Sequence, residues 1–93
     1  MNTAELAARV ARDAGFECRR HEHGMTAVLN DHSGGPLLLF CVAAPLQWEM
    51  RGEPVSKIVA AGDGLASLIA MLGAMRLLPE AAVAARGGLI SVA

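Results

Sequence analysis

His21 and His23 stand two residues apart, so in an extended segment both imidazoles point to the same side. A first-row transition metal accepts such a pair, with His32 as a third ligand and Asp31 or Glu22 close by in sequence. The strand expected between His23 and His32 spans roughly 20 Å, however, and that distance counts against a shared ion. No cysteine is placed to complete the set. The three histidines are therefore weak metal candidates, expected to sit on a solvated edge, and no cofactor is implied.

Nucleophilic chemistry needs a thiol or hydroxyl beside a base. Cys41 lies inside the densest apolar run and reads as packing. Cys18 occupies the opposite strand face from His21. The two cysteines have no CxxC or framework spacing and are expected to be free, small, buried hydrophobes. Ser33 follows His32, but chain neighbours rarely orient for proton transfer, and Ser33-Gly34-Gly35 is hairpin-loop composition. The turn Gly62-Asp63-Gly64 could present backbone N–H groups to an anion, yet Asp63 would repel one, and a helix start is the simpler reading. No catalytic residue is assigned, and a non-enzymatic protein is expected.

Seven of the eight basic residues are arginine, and the net charge is −1. Arg9, Arg12, Arg19 and Arg20 cluster in sequence, but Glu5, Asp13, Glu17 and Glu22 interleave with them. That pattern is local pairing more than a phosphate track, so nucleic acid is not an expected partner. Arg9 and Arg12 share a helix face and can serve as anchors for an acidic partner. The longest uncharged apolar stretch of the C-terminal half, residues 64–75, falls short of the roughly 20 residues that span a bilayer. The N-terminus lacks a basic region followed by an apolar core, so no membrane association and a cytoplasmic location are expected.

The elements that must position these residues centre on Leu37–Val42, Leu-Leu-Leu-Phe-Cys-Val. Six apolar side chains in a row place one on each face alternately, so both faces need covering, by a helix or by a partner subunit. This is the expected central strand. Before it, Asn2 caps a helix with Glu5 returning the bond, Leu6, Val10 and Ala14 mark its apolar face, and Gly15 ends it with Phe16 folding back. Strands are expected at 16–22 and 25–30, the first with Arg20 on its inward side, which suits an edge. Leu46, Trp48 and Met50 then alternate with polar residues, and a further strand at 55–61 reads as an edge because Lys57 interrupts its face.

The main helix is expected over 65–78. Leu65, Leu68, Ile69, Leu72 and Met75 form one stripe, and Ala66, Ala70 and Ala74 a small-residue stripe suited to close packing. Uncharged from Gly64 to Met75, it should have little solvent exposure. A short helix over 80–86 and a last strand or docking tail at 89–92 complete the order. The fold class is α+β, one compact domain over 1–93, with a mostly antiparallel sheet of four to six strands.

Hydrophobic residues make up 54% of the chain and charged ones 18%, a surplus of apolar surface for so small a domain. The leading expectation is a small protein-binding module, a chaperone, adaptor or inhibitor of a larger complex, working as a homodimer or in a complex. The element order is similar to that of many small bacterial adaptor and secretion-chaperone domains, in order alone. Interface candidates are Leu46, Trp48 and Met50, which would form a hot spot if exposed, the Ala66, Ala70, Ala74 stripe, and Arg9 with Arg12. The alternatives are a small-molecule or metal-binding domain using His21 and His23, and a mobile-element inhibitor of a host complex.

Overall fold

The computed structural model describes residues 2–43 and 45–79. Helix α1 (Thr3–Asp13) leads into strands β1 (Glu17–His21), β2 (Gly24–Leu29), β3 (Leu37–Val42), β4 (Gln47–Arg51) and β5 (Ile58–Asp63), and helix α2 (Gly64–Ala74) follows. The five strands form an antiparallel meander in sequence order, so β3 is central and β1 and β5 are the edges. The fold is α+β, as composition and spacing imply. The expected segments at 80–86 and 89–92 lie outside the described residues.

Helix α1 begins where Asn2 Oδ1 accepts the Glu5 N–H at 2.8 Å, satisfying a donor the helix itself leaves open. It ends in a Schellman arrangement: Phe16 N–H donates to the Ala11 carbonyl and Gly15 N–H to that of Arg12, both at 3.0 Å, with Gly15 at φ +98°. Phe16 thereby enters the core. Its buried face is almost all alanine (Ala4, Ala7, Ala8, Ala11, with Val10), which lets the helix lie close over β1, β2 and β3.

Helix α2 covers β4 and β5 and touches α1, so both helices occupy one side of the sheet. Leu68, Ile69 and Leu72 point inward. The helix ends four residues before the expected position, because Arg76 adopts φ +60°, Leu77 N–H donates to the Leu72 carbonyl and Arg76 N–H to that of Gly73. Without a glycine there, sequence carries no stop signal before Pro79. Ala66, Ala70 and Ala74 face outward and are exposed, contrary to the expectation of a helix with little open surface.

Strand β5 runs three residues later than expected at its start and two at its end. Gly62 and Asp63 read as punctuation, but they pair with Trp48 and Gln47 and so extend the ladder. An irregularity between Met50 and Arg51 shifts the register, and the β4–β5 turn contains a cis Glu53–Pro54 bond.

Candidate functional site

The alternation of side chains across each strand assigns two very different surfaces. Met25, Ala27, Leu29, Leu37, Leu39, Cys41, Trp48 and Met50 face the helices and are buried. Leu46, just before β4, joins them. Leu46, Trp48 and Met50, the hot-spot candidates, are therefore core, Trp48 at 5% exposure and Met50 at 0%. The Trp48 indole N–H donates to Ser67 Oγ at 2.8 Å, and the Ser67 hydroxyl donates back to the Asp63 carbonyl. This chain of bonds ties the first turn of α2 to β4. Gly62 makes room for it: a Cβ there would lie 2.7 Å from the indole ring.

The other sheet surface has no helix over it among the described residues. Its three rows follow from the register. One row runs Glu17, Val28, Leu38, Arg51, Ile58. The next runs Arg19, Thr26, Phe40, Glu49, Ala61. The third runs His21, Gly24, Val42, Gln47, Asp63. An apolar stripe of Leu38, Phe40 and Val42 lies along β3, with Val28 beside it and charged or polar residues on both flanks. Leu38 and Phe40 are half-buried and Val42 is 58% exposed. Shallow depressions flank Phe40, one lined by Arg19, His21, Thr26 and Val28, the other by Gln47, Glu49, Ala61 and Asp63.

The histidines go to separate partners. His21 Nε2 is 2.8 Å from Thr26 Oγ1 on the open face. His23 lies in the β1–β2 turn, 3.9 Å from Glu22. His32 Nδ1 accepts the Gly34 N–H at 3.2 Å at the far end of β2. Among the described residues no group of three potential ligands converges. Both thiols are free. Burial pushes the Cys41 thiol up to about 12, with Cys18 adding to the effect, and such a thiol is a poor nucleophile. Burial also raises Cys18, partly offset by Arg12. Arg9 and Arg12 are exposed on the outer side of α1, and Arg20 reaches the Glu5 carboxylate at 3.7 Å over the β1 edge.

The spacing of the sequence does not single out Leu38, Phe40 or Val42. The signal was present in the six-residue apolar run, whose second face no described helix covers. No described helix is long and apolar enough to cross a membrane. Comparison with protein-family models, curated proteins and solved structures finds no match to this chain.

Proposed function

We propose that this chain is a non-catalytic protein-binding module, of the adaptor, chaperone or inhibitor kind, and that the uncovered sheet face is its binding surface. One observation carries the reading: the Leu38–Phe40–Val42 stripe lies on the side of β3 that no described helix covers. An apolar centre ringed by charges is the anatomy of a protein interface, where desolvation of the centre supplies affinity and the rim supplies register.

Phe40 is the expected anchor, as the only aromatic side chain on that face among the described residues. Phe40→Asp should abolish association while leaving the far-UV circular dichroism and cooperative melting intact, since this side chain is partly exposed and lies on the side away from the helices. Ala70→Glu, on the outer face of α2, should leave binding unchanged. Association that survives Phe40→Asp, or disappears with Ala70→Glu, would transfer the function to another surface.

A further inference from the structure

We infer that the occupant of the open face is a second copy of this chain, packed face to face about a two-fold axis lying close to the direction of β3. This rests on the sheet face being the binding surface, and it is the charge pattern that selects the partner. Rotation about such an axis lays β1 of one copy over β5 of the other and β2 over β4, with β3 over itself. Leu38, Phe40 and Val42 then meet their own counterparts.

The pairing opposes one ionisable pair directly and brings the remaining flank charges near opposite ones diagonally. His21 falls opposite Asp63. Arg19 falls opposite Ala61, between Glu49 and Asp63. Glu17 falls opposite Ile58, beside Arg51. An axis at right angles to the strands would instead oppose Arg19 to Arg19 and Glu49 to Glu49, which like-charge repulsion disfavours. Glu49 already holds Arg51 at 2.8 Å, which keeps both charges at the surface of the face.

Five strands about 4.8 Å apart and about six residues long cover roughly 24 by 20 Å. That is at the low end for a specific interface, a size that suits weak, reversible pairing. The two sheets would cross at about 30°, the angle their twist imposes.

The test is the mass of the full chain in solution by light scattering or sedimentation across about 1 μM to 1 mM. Wild type should move from monomer to dimer over that range. Arg19→Glu and Asp63→Lys each enter the interface twice and should weaken the dimer by about tenfold or more. An equimolar mixture of the two variants should regain the wild-type mass, because each mutated flank then meets its opposite. A strictly monomeric wild type would overturn the inference. So would a dimer indifferent to both charge reversals, as edge-to-edge pairing through β5 would produce. A monomer that still binds another protein in a Phe40-dependent way would overturn self-pairing alone and leave the sheet face as the binding surface.

Discussion

Leu38 and Leu39 are chain neighbours of identical chemistry in opposite environments. Leu39 is fully buried beneath the helices, and Leu38 lies on the open face. Leu39→Ala should cost about 2–5 kcal/mol of unfolding free energy, through lost burial and the cavity left behind. Leu38→Ala should cost well under that, about 1 kcal/mol or less. Denaturant melts of the two variants check this, and equal losses would mean that the faces are assigned wrongly. Cys41 gives a pH-dependent counterpart. Its folded-state thiol titrates near 12 instead of 9.0, because burial disfavours the thiolate. Between those values the unfolded chain has released a proton that the folded one keeps, so stability is whole below pH 9 and falls as pH rises toward 12. Melts from pH 7 to 11 should show that decline, and Cys41→Ala should lessen it, leaving the smaller part that the raised Cys18 thiol contributes.

The two helix ends test how much single backbone positions contribute to these elements. At the end of α1, Gly15 holds φ +98°, where a β-branched side chain is strained. Gly15→Val should destabilise the protein by roughly 1–2 kcal/mol. At the end of α2, Arg76 holds the equivalent left-handed position at φ +60° without being glycine. Arg76→Gly should relieve that strain and raise the melting temperature, a gain on the order of 0.5–1 kcal/mol. A fall instead would mean that the Arg76 side chain makes contacts worth more than the strain. Strand β5 is an edge with Ile58 and Val59 partly exposed, and Lys57 just before it adds a charge that discourages strand-to-strand association.

At the scale of the whole molecule, the described residues form one sheet with both helices on a single side. In such a two-layer fold the second sheet face meets water or another molecule, and here its central strand is apolar on that side as well. Self-association through charged flanks should weaken with salt, as screening cuts the exposed Arg19, His21, Glu49 and Asp63 attractions. Dimer dissociation constants at 50 and 500 mM salt measure that, and tighter association at high salt would point to the apolar stripe alone.

Much of the fold was legible in the sequence because its signals are local. The Asn2 cap, the Gly15 stop and the bounds of Leu37–Val42 follow from side-chain period and turn chemistry within a few residues. The end of α2 was not legible, since a left-handed arginine leaves no mark of its kind. Neither was the end of β5, where Gly62 pairs with Trp48 and its missing Cβ leaves room for the indole. Only the tertiary structure could decide which face of the sheet the helices cover. Within Leu37–Val42 both alternate sets are apolar, so period alone cannot say whether Leu37, Leu39 and Cys41 or Leu38, Phe40 and Val42 lie beneath the helices. Where α1 and α2 come to rest is a long-range packing outcome, and it puts the tryptophan in the core and leaves the phenylalanine outside.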